Sequence, residues 1–160
     1  MIGSSGALDY TVSLSNENNR FGADGPVSIT DRDGALIESQ YSKLSGKFDN
    51  PKISTAFSYD FGGDVTANLN LSYGSDFFSR KEPETAIDSA GVTRTREALV
   101  EEDGPEYELG GDIQFPFGPG SLKLILLERF ERDNYSSTVI DRLSDDSPPR
   151  GFRFEQTNGA

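Results

Sequence analysis

The sequence predicts an all-β fold, an antiparallel up-and-down meander of about seven strands. Three observations lead there. Apolar residues recur at every second position over several stretches, the mark of a strand with one apolar and one polar face. Tight turns rich in Gly, Pro and Asp separate pairs of these stretches. No segment longer than a turn keeps the 3.6-residue spacing of a helix.

Near the start, Leu8, Tyr10, Val12 and Leu14 alternate with polar neighbours. Asp31-Arg32-Asp33-Gly34 reads as a hairpin turn, and residues 35–49 as the strand paired across it. Asp49-Asn50-Pro51 reads as a second tight turn. Over residues 52–61, Ile53, Thr55, Phe57, Tyr59 and Phe61 share one face. After Gly62-Gly63-Asp64, residues 65–73 place Val65, Ala67, Leu69, Leu71 and Tyr73 on one face and Thr66, Asn68, Asn70 and Ser72 on the other. Residues 74–106 are polar and charged and read as a long loop, in which residues 97–102 form one short helical turn. Tyr107, Leu109, Ile113, Phe115 and Phe117 resume the alternation. Gly118-Pro119-Gly120 turns the chain, and Leu122, Leu124, Leu126 and Phe130 continue it. Residues 131–150 read as another long polar loop.

These phases fix an expected register. Across the first tight turn, Phe61 faces Val65, Tyr59 faces Ala67, Phe57 faces Leu69, Thr55 faces Leu71 and Ile53 faces Tyr73. Across the second, a four-residue loop sets Phe115 against Leu124, Ile113 against Leu126 and Leu109 against Phe130. Residues 65–73 and 107–117 are expected to be neighbours, with one continuous apolar face.

Alternation of short turns and long loops is the connectivity of a transmembrane β-barrel. The expected strands fit the roughly 9–11 residues that cross a bilayer. Aromatic residues stand at their ends, Tyr59, Phe61, Phe115 and Phe117 at one and Tyr73, Phe77, Tyr107 and Phe130 at the other, as interfacial girdles require. The alternative is a soluble all-β module whose aromatics fill a core and whose acidic loops bind a partner.

Composition narrows function. The 160 residues carry 27 acidic and 15 basic side chains, a net charge of −12, with no Cys, His or Trp. Thiol and His-based nucleophilic chemistry and the usual N/S zinc sites are thereby excluded, as are disulfides. The acidity, with no basic run, argues against nucleic acid as a partner. Leu, Ile, Val and Phe make about 24% of the chain, above the roughly 20% at which disorder becomes the default. The longest aliphatic run, residues 124–127, is far short of the roughly 20 residues of a spanning helix. The first ten residues lack the charged and apolar regions of a secretory signal.

Candidate sites are few. Asp31, Asp33, Gly34 and Glu38 have the flavour of a calcium loop but miss its spacing, so a plain Asp/Gly turn is expected. Glu101-Glu102-Asp103 could hold a divalent cation in a folded loop, but reads better as a solvated one. Asp112 and Gln114 fall in the polar phase and would face a barrel lumen, whereas Glu128 falls in the apolar phase, near the headgroup level. No catalytic, cofactor-binding or metal-ligating residue is assigned, and no enzyme activity is expected.

Residues 7–26 (ALDYTVSLSNENNRFGADGP), 48–54 (FDNPKIS), 65–74 (VTANLNLSYG), 107–137 (YELGGDIQFPFGPGSLKLILLERFERDNYSS) and the closing GFRFEQTNGA resemble TonB-dependent outer-membrane receptors of alphaproteobacteria. The likeness spans nearly the whole chain and is to the first part of the β-barrel. It implies residence in the bacterial outer membrane, contact with outer-membrane lipid, and uptake of a scarce small molecule such as a siderophore, vitamin or saccharide. That family begins with a signal peptide, a TonB-contacting box and a plug domain, none of which the sequence carries. Its barrel closes with about 22 strands. Residues 1–160 are therefore expected to be a partial barrel domain, with the TonB system and the plug as partners of the full-length protein only.

Overall fold

The computed structural model describes residues 1–144 and 147–159, and the described residues form one antiparallel sheet without helices. Its strands are β1 (Ile2–Ser5), β2 (Leu8–Thr30), β3 (Leu36–Gly62), β4 (Val65–Asp88), β5 (Thr93–Phe117), β6 (Gly120–Leu143) and β7 (Arg150–Gly159). They neighbour one another in chain order, and β1 and β7 are the two edges of an open sheet. The all-β meander of seven strands is thus present.

The long strands correct several expectations. Residues 74–106 are not a loop: β4 and β5 continue through them, paired from Thr66 with Gln114 up to Ile87 with Thr93. Residues 97–102 belong to β5 and form no helical turn. Most of 131–150 is likewise strand, with β6 running to Leu143. The core strands span 23 to 27 residues, well beyond a bilayer crossing. The polar segments form strands because the ladder satisfies their backbone groups and cross-strand ion pairs align their side chains.

Asp49-Asn50-Pro51 is not a turn either, since β3 runs straight through it. Proline cannot donate to a ladder, and the β3–β4 pairing lapses at Asn50 and Pro51 while Pro51 keeps Asn16 as its partner in β2. Pro105 repeats the device: it pairs with Ser75, and the β5–β6 ladder lapses beside it.

The reversals divide into two kinds. At one end, which we call the lower, lie the glycine turns at Gly6, at Gly62 to Asp64 and at Gly118. At the upper end, Asp31 Oδ1 accepts the backbone N–H groups of Asp33 and Ala35, both at 2.9 Å. Asp88 Oδ1 does the same for Ala90 and Val92, also at 2.9 Å. Each Asp is followed by a glycine with φ of +84°, Gly34 and Gly91. The Asp31 turn is as expected, and its twin at Asp88 lay inside the presumed loop.

Four of the five pairs expected across the first lower turn are present, from Ile53 with Tyr73 to Tyr59 with Ala67. The fifth is displaced by an irregularity that pairs Val65 with Gly62 instead of Phe61. Across the second lower turn the phase is right but the register moves by two residues. Phe115 meets Leu122, Ile113 meets Leu124 and Leu109 meets Glu128, because Phe117 pairs directly with Gly120 and leaves only Gly118 and Pro119 in the loop.

Register carries parity across the sheet. Apart from the irregularities at strand ends, odd-numbered residues of β1, β3, β4, β5 and β7 share a face with even-numbered residues of β2 and β6. In its lower part this face is an apolar band five strands wide. One row reads Leu8, Tyr59, Ala67, Ile113 and Leu124; the row above it reads Tyr10, Phe57, Leu69, Gly111 and Leu126. The band ends above in Leu14, Ile53, Tyr73, Tyr107 and Phe130, with the rings of Tyr107 and Phe130 stacked at 5.3 Å. From Tyr107 to Phe117 the strand rises about 33 Å, at about 3.3 Å per residue. At the 35–45° tilt of barrel strands that is about 25 Å of height.

The sheet has almost no interior. Ala86 is the one buried hydrophobic residue among those described, and Ile125 and Leu127 are 75% and 70% exposed. A folded sheet of this size with bare faces needs something else against it.

Candidate functional site

The face opposite the apolar band is polar in its lower part. Its rows carry Asp9, Ser58, Asn68 and Asp112, then Thr11, Ala56, Asn70 and Gly110, then Ser13, Ser54, Ser72 and Glu108. Asn68 Nδ2 donates to Asp112 Oδ1 at 3.0 Å, and Lys123 Nζ lies 3.2 Å from the same oxygen. Asp112 and Gln114 therefore stand on the polar face, as their phase implied.

Above the band the two faces exchange character. The band face becomes polar, with Asn16, Asn18, Lys47, Ser75, Ser79 and Asn134 at its register positions. The polar face gains aromatic rings. Phe48 and Phe78 are direct cross-strand partners, and Phe21 stacks on Phe78 with ring centroids 6.3 Å apart. Phe21 reaches Phe78 by lying over Gly46, where a β-carbon would come within 2.2 Å of the ring. Tyr135 meets Phe154 edge-on at 6.1 Å.

Higher still lies a charged cluster. Arg94 bridges Glu38 at 2.9 Å and Glu84 at 3.1 Å. Arg96 grips Asp141 with two hydrogen bonds, from Nε at 2.7 Å and from a terminal nitrogen at 3.1 Å. That paired contact holds the Asp141 carboxyl below the usual aspartate range and raises the Arg96 guanidinium. Glu82, Glu84, Arg96, Asp141, Arg150 and Phe152 line a concavity of about 550 Å³ on this face.

Charge is divided unequally between the faces. By the parity rule, the strands place fifteen acidic and seven basic residues on the polar face. The band face holds seven of each. The polar face thus carries −8, the band face zero, and the remaining −4 of the −12 lies in the connections. A wall so divided presents one neutral side and one side that attracts cations.

The remaining candidates resolve on geometry. Asp31 caps its own turn, while Glu38 is held by Arg94, so the pair does not converge on a cation. Glu101, Glu102 and Asp103 are consecutive strand residues; Glu102 points to the face opposite the other two. Among the described residues no group of three or more acidic side chains could hold a metal ion. Glu128 lies on the band face two residues below Phe130 and accepts a hydrogen bond from the Tyr107 hydroxyl at 3.2 Å.

Sequence reasoning missed Glu84, Arg94, Arg96 and Asp141, all in segments read as loops. The signal was present: Phe78, Ala86, Ala98, Val100 and Val139 all fall in the phase of that face. It appears only when the apolar phase is allowed to change sides midway along a strand. No protein-family model and no curated protein sequence matches the chain.

Proposed function

We propose that the chain is barrel wall of an outer-membrane receptor of the TonB-dependent type, contributing strands and their extracellular extensions to the uptake of a scarce small molecule. One observation carries this reading: an apolar band, about 25 Å tall and bordered by aromatic residues, with Glu128 its one charged side chain, on a face whose whole length sums to zero charge while the opposite face sums to −8. In this reading the band meets lipid and the polar face lines the lumen. In a closed barrel every backbone group inside the bilayer would be paired, because lipid offers no partners. The upper halves of the strands stand above the membrane, which is why their band face turns polar. The sequence resemblance to that receptor family supports the same reading. The protein acts as a wall and a capture surface, with no chemistry of its own. Import would draw energy from TonB through a plug domain in the complete receptor, and further strands would close the barrel.

Limited trypsin digestion of the chain in phospholipid vesicles tests this. Cleavage is expected at Arg80, Lys81, Arg94 and Arg142 in the upper strands, with Lys123, inside the band, protected. A chain that stays in the aqueous phase, with all these sites cut alike, refutes the membrane reading and leaves the soluble acidic module in its place.

A further inference from the structure

Above the level of the band, the polar face carries aromatic rings that fill no core. Phe21 stacks on Phe78 and Tyr135 meets Phe154, and with a single sheet no described strand packs over either pair. Register sets one carboxylate between the two pairs. Glu102 of β5 is the direct partner of Phe78 on β4 and of Tyr135 on β6, so the row reads Phe78, Glu102, Tyr135. All three residues are half-buried. Neighbouring strands lie about 4.8 Å apart, which roots the two rings about 10 Å from each other with the carboxylate midway. Among the described residues none makes a hydrogen bond or ion pair with the Glu102 side chain, and Arg80, diagonal to it on β4, is equally unpaired.

This spacing suits a cation. A ring attracts positive charge within about 6 Å of its centroid, so a group seated midway is in reach of both rings. The surroundings favour the same sign. Asp76 and Asp133 stand on this face one row below Glu102 and Arg80 one row above, three carboxylates against one guanidinium. The whole face sums to −8. Among the described residues these acidic groups do not converge as a metal site requires, and hard metal ions take oxygen ligands rather than rings. An alkylated ammonium is apolar at its rim and charged at its centre, and so matches the rings and the carboxylate together.

We propose that Phe78, Glu102 and Tyr135 hold an organic cation, with an alkylated ammonium group between the two rings and against the carboxylate. The receptor reading gives the site its role, since there it stands on the lumenal side above the membrane and names the cargo as cationic. The site itself needs only the sheet.

Equilibrium dialysis of the full chain in polyoxyethylene detergent micelles tests it with three probes: choline, dimethylbutanol, in which carbon replaces the charged nitrogen, and glucose. Choline is expected to bind about tenfold more tightly than either neutral probe. Glu102→Gln should remove that preference, and Phe78→Leu and Tyr135→Leu should each weaken choline about threefold. Arg80→Gln should strengthen it. Glu101→Gln makes the same change of charge on the opposite face and should leave binding as it was, with circular dichroism showing that each variant keeps its sheet. Equal binding of choline and dimethylbutanol, tighter binding of glucose, or equal losses in Glu101→Gln and Glu102→Gln overturns the proposal. A chain that binds choline through Glu102 yet stays out of vesicles keeps the site and refutes the membrane reading. One that enters vesicles without preferring choline loses the site alone.

Discussion

Leu69 lies midway between Val65 and Tyr73 on β4, at the centre of the apolar band, and its neighbour Asn70 points to the opposite face. Leu69→Arg would set a guanidinium about 13 Å along the strand from either border, at about 3.3 Å per residue. At the bilayer midplane that costs about 2–4 kcal/mol. At 1.4 kcal/mol per decade this is about a 30- to 700-fold loss in the inserted fraction. Asn70→Arg adds the same charge on the lumenal side, where water solvates it and the surroundings are acidic, so the change should stay within about 0.5 kcal/mol. The assay is the protease-protected fraction of each variant in phosphatidylcholine vesicles across a urea series, with secondary structure followed by circular dichroism. Equal losses for the two variants, or a larger loss for Asn70→Arg, would refute the assignment of faces.

Further predictions concern packing, pH and association. A β-carbon at Gly104 would fall 1.6 Å from the Arg132 carbonyl oxygen, whereas one at Gly110 would have only a 3.7 Å contact with Leu127 Cδ1. Gly104→Ala should therefore cost about 2 kcal/mol or more in urea midpoints measured in micelles, and Gly110→Ala should gain about 0.5 kcal/mol. Arg96 depresses the Asp141 carboxyl, so the pair stabilises the upper hairpins above the ordinary aspartate range, near about pH 3.9. That contribution is lost as pH falls through the lowered value, and amide protection around Ala98 and Val139 should fall there in the native chain, with Asp141→Asn flattening the response. The isolated chain, with two open edges and a bare apolar face, should aggregate in water or require detergent, without cooperative unfolding as a monomer. A soluble monomer of 17.4 kDa with one sharp transition would favour the soluble-module alternative.

The lower half of the sheet was legible because apolar side chains mark its phase. Phe57 and Leu69 each stand in an unbroken alternation, and a two-sided strand has one register that keeps both on one side. From Leu124 to Leu127 both faces are apolar, so phase survived but register did not; the two-residue turn at Gly118 and Pro119 decides it. The upper half was misread because its alternation is carried by Arg, Glu and Thr, with the apolar minority on the other face. Arg94 to Glu84 and Arg96 to Asp141 are contacts between strands, invisible where a loop is assumed. Pro51 misled for a related reason. A proline breaks one ladder, and the second neighbour holds the strand together.

The account rests on which face meets lipid, and quenching by brominated lipid measures that directly. The sequence contains no Cys, so single cysteines carrying a fluorophore report one position each. Along β4 and β5 within the band, labels at 67, 69, 71, 109 and 113 should be quenched by bromine in the acyl chains. Labels at 68, 70, 72, 110 and 112 should respond instead to aqueous iodide. Above Tyr73 and Tyr107 the alternation should end, with iodide reaching both faces by Ser79. Quenching that ignores parity, or bromine quenching at the even positions, would contradict the account.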